Sequence, residues 1–331
     1  MLDLRRRDFV TLLGGATVGW PFAARAQQTG MSVVGFLSGL SAGERPHLVE
    51  SFRRGLSEAG YVAGQNVAVE YRYAENQPDR LRALAADLIA RRVAVIAATG
   101  GNNPALVAKS LTTTIPIVFT SGVDPVRAGL VNNFSQPEGN VTGVSWFSVE
   151  LGAKHLELVL ELVPAATLIA VIVNPRNREA ALYEQPLREA AARVPGLQLD
   201  ILKASTAGEI DAAFETLVQH KASAVIVASD PFLTARARQF AVLAARNNIA
   251  MVTGTRDFTM AGCIISYGND TADAYRRAGV YAGRILKGAN PADLPVDRAT
   301  KFELIINVQT ARALKFDIPA RLLATADEVI E

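Results

Sequence analysis

The sequence is poor in the residues from which most reactive centres are built. It has one cysteine, Cys263, and three histidines, His47, His155 and His220. A single cysteine excludes an internal disulfide framework and a cysteine zinc site. The histidines are scattered, without the H-x-x-x-H spacing of a metal site. Gly100-Gly101 lacks the lysine and spacing of a phosphate loop. Cys263 lies among apolar neighbours in Ala261-Gly262-Cys263-Ile264-Ile265, which suits a buried small hydrophobe better than a nucleophile. No metal or cofactor is expected, and the chain does not read as an enzyme.

Net charge is nearly absent too. The 34 basic residues are balanced by 32 acidic ones. Four of the basic residues (Arg5, Arg6, Arg7, Arg25) and two of the acidic ones (Asp3, Asp8) precede Gln27, so the remainder is formally neutral. A nucleic-acid binder would carry a basic stripe, so no nucleic-acid partner is expected. Beyond the first segment no apolar run approaches the length of a membrane span, and a soluble mature protein is expected.

Residues 1–26 read as a cleaved export signal. Arg5-Arg6-Arg7 forms a positive start, Val10 to Trp20 an apolar stretch too short to span a bilayer, and Ala24-Arg25-Ala26 a small-x-small cleavage site. Arg6-Arg7-Asp8-Phe9-Val10 fits the twin-arginine form, an address read by a receptor. A general secretory signal with a chance arginine pair is the alternative. Both lead out of the cytoplasm, so a periplasmic location is expected.

With 331 residues the chain suits two lobes of ordinary domain size. Short apolar runs alternate with helical periodicity. Val33–Leu37, Val67–Tyr73, Val93–Ala98 and Ile117–Phe119 read as strands, interleaved with helices at Pro46–Glu58, after Asp79 and at Pro104–Ser110. The pattern restarts with helices at Val149–Val163, Leu182–Arg193, Glu209–His220 and Phe232–Arg246. The strands between and after them are Leu168–Val173, Leu197–Leu202, Ala224–Ala228 and Ile249–Thr253. A strand at Cys263–Tyr267, a helix at Ala272–Lys287, a linker at Pro291–Pro295, a strand at Phe302–Asn307, a short helix and a polar end complete the chain. The expectation is an α/β protein with two doubly wound parallel-sheet lobes. The lobes are assigned to 27–143 with 262–296 and to 144–261 with 297–331, so that three connections join them.

Ligands of open α/β sheets bind beyond the carboxyl ends of the strands. Those ends carry Ser38, the run Thr99-Gly100-Gly101-Asn102-Asn103, Ser121 and Asp124 in the first half. In the second half they carry Asn174, Ser229-Asp230-Pro231, Thr255 and Tyr267. Thr99 and Ser121 can donate to a carboxylate beside free N–H groups at helix starts. Asp230 can accept from an ammonium or hydroxyl. Singly, each of these polar residues is as readily an ordinary helix cap; their convergence from two lobes is what points to a site.

Four stretches carry a resemblance. They are Gly60-Tyr61-Val62-Ala63-Gly64-Gln65-Asn66-Val67; Ile115-Pro116-Ile117-Val118-Phe119 leading to Asp124-Pro125-Val126 and Gly129-Leu130; Pro137-Glu138-Gly139-Asn140-Val141-Thr142-Gly143; and Phe302-Glu303-Leu304-Ile305-Ile306-Asn307 running on through Ile318-Pro319 to Asp327-Glu328-Val329-Ile330. In this order they resemble the substrate-binding proteins of ABC importers, of the type with tryptophan- and tyrosine-binding members. Glu138 stands where a second glycine is expected. The resemblance implies a type I periplasmic-binding fold with three inter-lobe crossings, a monomer, and delivery of a small organic solute to a permease with cytoplasmic ATPase subunits. The solute would be an amino acid or carboxylate, with an aromatic amino acid as the type assignment. It also implies that Thr99 and Ser121 hold a ligand carboxylate, with Ser38, Asn174, Asp230 and Thr255 at corresponding strand ends. A sensor module for a signalling receptor is the runner-up, and a secreted enzyme comes third.

Overall fold

The computed structural model describes residues 31–146, 151–177 and 180–331. The export signal and the start of the helix expected from Val149 lie outside the described residues.

The first lobe begins with β1 (Ser32–Ser38), α1 (Pro46–Glu58), β2 (Val67–Tyr73), α2 (Leu81–Ala90), β3 (Val95–Thr99), α3 (Asn103–Leu111), β4 (Ile117–Ser121) and β5 (Val141–Ser145). Its strands read as continuous apolar runs because helices cover both faces of the sheet. Alternate residues go to opposite layers: Val34, Phe36, Val95 and Ala97 into one, Leu37, Ile96 and Ala98 into the other. The second lobe continues with α4 (Gly152–Leu162), β6 (Leu168–Val173), α5 (Ala180–Ala191), β7 (Gln198–Lys203), α6 (Ala207–Gln219) and β8 (Ala224–Val227). It goes on with α7 (Pro231–Ala235), α8 (Ala237–Arg246), β9 (Ala250–Thr253), α9 (Arg256–Met260) and β10 (Ile265–Asn269). The chain then returns to the first lobe with α10 (Thr271–Leu286) and β11 (Asp297–Arg298). It ends in the second with β12 (Phe302–Asn307), α11 (Val308–Ala313), α12 (Ala320–Thr325) and β13 (Glu328–Ile330).

Two sheets result. The first has the order β11-β5-β4-β3-β1-β2 and the second β13-β12-β10-β9-β8-β6-β7. All pairings are parallel except β10 with β12. The α/β class with two wound parallel sheets is as the sequence led one to expect. The division at the tail is not. Residues 262–296 were assigned to the first lobe, yet β10 pairs with β9 and β12 in the second sheet. The boundary at 297 is displaced as well, because Asp297 and Arg298 pair with Val144 and Ser145 of the first sheet. The returning piece is therefore α10 to β11. Its reason is α10, whose small residues let it lie directly on α1. A Cβ placed on Gly55 would stand 1.7 Å from the carbonyl oxygen of Arg276, and one on Gly279 2.1 Å from that of Phe52.

The chain thus passes between lobes three times: after Ser145, after Asn269 and after Arg298. The crossings are stitched together. Ala299 N donates to Ser145 O, and Asp270 N to Lys301 O. Asn269 Nδ2 donates to Ala299 O at 3.2 Å. Connections bonded in this way are the arrangement of a hinge between two lobes.

Other differences are local. The helix expected over Phe232–Arg246 is two helices, broken at Arg236 with φ −102° and ψ 14°. Pro186 sits inside α5. Strand β5 was not read from the sequence, and β13 lies in what was read as a polar end.

Candidate ligand-binding cleft

The carboxyl ends of the two parallel sheets face each other. Gly101, beyond β3, lies against Pro231, beyond β8: a Cβ on the glycine would be 3.7 Å from Pro231 Cγ. The candidate residues lie on these facing loops.

On the first lobe Ser38 and Thr99 are register partners at the ends of β1 and β3. Ser38 Oγ accepts from Leu40 N at 3.2 Å, which turns the chain away from the strand. Thr99 is fully buried and its Oγ1 has no hydrogen-bond partner. A buried hydroxyl left without a partner costs about 1–3 kcal/mol, so such an atom marks a place where a further partner would be favourable. It borders a cavity of about 20 Å³ whose wall includes Phe36, Ser38, Arg45, Tyr73 and Tyr275. That volume holds roughly one water. Gly100 turns at φ +73°, and a Cβ there would stand 2.9 Å from Ser38 Oγ. Its N–H donates to Tyr275 Oη at 3.1 Å.

Ser121 and Asp124 have other work. The Ser121 hydroxyl donates to Asn102 Oδ1 at 2.7 Å and accepts from Val123 N at 3.2 Å. It holds the glycine loop against the end of β4. Asp124 accepts from the N–H groups of Val126 and Arg127 and so fixes its own turn. The two residues are engaged by the loops they belong to, without capping a helix.

On the second lobe Asp230 caps α7 from the position before it, accepting from Leu233 N at 3.0 Å. Its two oxygens also accept from Asn174 Nδ2 and Asn177 Nδ2, both at 3.1 Å. Burial raises its pKa above the usual carboxylate range, while these donors and Phe232 N act in the opposite direction. Asn174 in turn accepts from Arg176 N. Thr255 occupies the position before α9 without capping it; its Oγ1 is buried and unpartnered, as are Ser229 Oγ and Thr253 Oγ1. Ser229 lies over Gly254, where a Cβ would come within 2.0 Å of its hydroxyl. Tyr267 stacks on Phe302, ring centroids 5.8 Å apart, and packs against the layer under α4.

The structure therefore brings Ser38, Thr99 and Gly100 together on one lobe and bonds Asn174 to Asp230 on the other. Tyr275 was not foreseen. It arrives on α10, far along the chain, and its only signal was a tyrosine on the apolar face of a helix, whose hydroxyl needs a partner when buried. Arg45 was also missed. It is the residue before α1, and its guanidinium reaches Asp257 of α9 on the other lobe.

Two wound α/β lobes, three bonded crossings and a cleft edged by unpartnered hydroxyls define a periplasmic-binding-protein fold. Residues 32–330 match the family model described as ABC transporter substrate binding protein. The chain belongs to that family and is the solute-binding component of an ABC transporter, working outside the cytoplasm. A tyrosine-binding protein of Clostridioides difficile (strain R20291) is 29% identical over 266 residues, 80% of this chain and 75% of that one. Among solved structures, a conserved domain protein of Vibrio cholerae superimposes with TM-score 0.81 at 27% identity, over 90% of this chain and 99% of the other. A Streptococcus pneumonia ABC domain in complex with L-Trp gives the same TM-score at 23% identity, over the same shares. No helix among the described residues is long and apolar enough to cross a membrane.

Proposed function

We propose that this protein captures an aromatic amino acid in the cleft between its lobes. It hands the ligand, in the periplasm, to a permease driven by cytoplasmic ATPase subunits. The observation that carries the reading is Thr99: a fully buried hydroxyl without a partner at the end of β3, beside the N–H-rich start of α3 where an anion is favoured. Thr255 and Ser229 offer matching unpartnered hydroxyls from the other lobe. The named ligands of the two relatives, tyrosine and L-Trp, supply the class.

A second reading has one observation in its favour. The carboxylate of Asp230 already accepts from Asn174, Asn177 and Leu233. A ligand ammonium would have to displace one of these donors. An aromatic or branched carboxylate without an amino group makes no such demand. Calorimetric titration with L-tryptophan, L-tyrosine and the corresponding arylpropionic acids separates the readings. Binding of the amino acids supports the first, and binding of the acids alone the second. If none binds, both fail.

A further inference from the structure

Two adjacent residues of opposite charge reach across the cleft. Glu44 and Arg45 end the loop between β1 and α1. Arg236, between α7 and α8, donates from NH1 to Glu44 Oε1 at 3.2 Å. Arg45 meets Asp257 of α9 in a two-pronged pair, Nε to Oδ1 at 3.3 Å and NH2 to Oδ2. The same guanidinium lies 3.4 Å from the hydroxyl of Thr271, the first residue of α10. His47 Nε2 is 3.5 Å from Asp257 Oδ1. On the near side Glu44 is braced in its own lobe by Ser41 N and by Asn76 Nδ2.

The order of signs matters. Glu44 faces a cation and Arg45 an anion, so sliding one lobe over the other would set like charges together. Such a pattern fixes register as well as attraction. The Arg45 and Asp257 side chains are 9% and 15% exposed. A forked guanidinium–carboxylate pair so sheltered is stronger than an open surface pair. Arg45 also lines the small cavity beside Thr99, so the group that ties the lobes together is itself a wall of the ligand side of the first lobe.

The geometry points to an ionic clamp, made by Glu44–Arg236 and Arg45–Asp257, that holds the lobes closed without any ligand. Closure is then set by the chain's own charges, and ligand binding adds to an equilibrium already tilted toward the closed form. Removing both pairs shifts that equilibrium toward the open form by about tenfold or more.

The test uses the full mature protein freed of ligand, so it does not depend on which solute is bound. Small-angle scattering is recorded at about 0.02 M and about 0.5 M NaCl, where the screening length falls several-fold. The wild type should be compact at low salt and expand at high salt. The Glu44→Gln/Asp257→Asn protein should be expanded at both. The charge swap Glu44→Arg/Arg236→Glu should recover compactness at low salt, which a merely structural loop would not allow. A Glu44→Gln/Asp257→Asn protein as compact as the wild type at low salt overturns the clamp. If the variants do not fold, the wild-type salt series decides alone: a radius of gyration unchanged by salt overturns the proposal in every case.

Discussion

The Nε2 atom of His155 lies 2.7 Å from the carbonyl oxygen of Tyr267. The pairing of β9 with β10 covers Val252 with Ile265 and Thr253 with Ser266. Just beyond, Gly268 presses on Gly254 so closely that a Cβ would stand 1.9 Å from the Gly254 oxygen. The imidazole serves the carbonyl of Tyr267 at this point. Because Nε2 must carry the proton, Nδ1 is bare and accepts from the Tyr183 hydroxyl at 2.7 Å. Burial lowers the His155 pKa from 6.5 to about 4.

A pH dependence follows. Between pH 6.5 and about 4 the unfolded chain binds a proton at His155 that the folded chain refuses. Stability is fully present above 6.5 and is lost as pH falls through about 4, by about 3 kcal/mol for this group. Urea unfolding from pH 4 to 7 should show this slope in the wild type and a shallower one in His155→Gln. Equal slopes would show that another group is responsible.

Thr99→Val removes a hydroxyl that has no partner while keeping the shape of the side chain. The unliganded protein should melt no lower than the wild type. Affinity for L-tryptophan or L-tyrosine should fall about ten- to a hundredfold, the effect of one hydrogen bond to a charged group. Ser121→Ala should behave oppositely, losing about 1–2 kcal/mol of stability with the bonds to Asn102 and Val123. Calorimetry and melting curves on both variants test the contrast; unchanged affinity in Thr99→Val would leave that hydroxyl without a role in binding.

Gly55→Ala sets two effects against each other. Alanine is a better helix former than glycine by about 1 kcal/mol. The new Cβ, however, would stand 1.7 Å from the Arg276 oxygen of α10, and forcing two backbones apart costs about 3 kcal/mol. The clash should win, with a net loss of about 2 kcal/mol in urea unfolding. A gain in stability would mean that the two helices part freely.

Glu138 has φ +62°, in the left-handed region, where a side chain costs about 1–2 kcal/mol. Its carboxylate accepts from Asn132 Nδ2 at 2.6 Å. Glu138→Gly should stabilise by about 0.5–1 kcal/mol, the relieved strain exceeding the lost exposed bond and the added freedom of the unfolded chain. Glu138→Ala keeps the strain and loses the bond, so it should destabilise slightly. The two melting temperatures should therefore move in opposite directions.

Much of the fold was legible because both sheets are covered on two faces, which writes their strands as short apolar runs. The family pattern had already marked Glu138 as a glycine position, and its backbone angle agrees. Strand β5 was hidden by Gly143, which reads as a turn but is there because a Cβ would come within 2.3 Å of the Phe119 oxygen. Strand β13 is only three residues long, at the edge of its sheet, and follows a short loop of mixed character. The break at Arg236 leaves the apolar periodicity of α7 and α8 continuous, so the pattern could not reveal it.

The site was legible as positions and not as roles. Strand ends nominate Thr99 and Ser121 equally, but one hydroxyl is left without a partner and the other is taken by Asn102. That difference depends on which loops meet in space. For Arg45 and Asp257 it depends on the closure of the whole molecule, and no local spacing encodes it.

The position of α10 bears on how the protein is made. Helix α1 leaves the ribosome early, with Leu48, Phe52 and Leu56 ready to be covered. Its partner α10 begins at Thr271, after the strands of the second lobe up to β10 have been synthesised. Through all of that elongation the nascent first lobe carries an uncovered apolar seam beside the glycines that await α10. A chain arrested before Thr271 should therefore expose this seam to chaperones, whereas one arrested after Leu286 should have it covered and leave open only the end of the second lobe, which awaits β12 to β13. Both lobes are thus completed late, the first by α10 and the second by α11 and α12, which follow it in the chain.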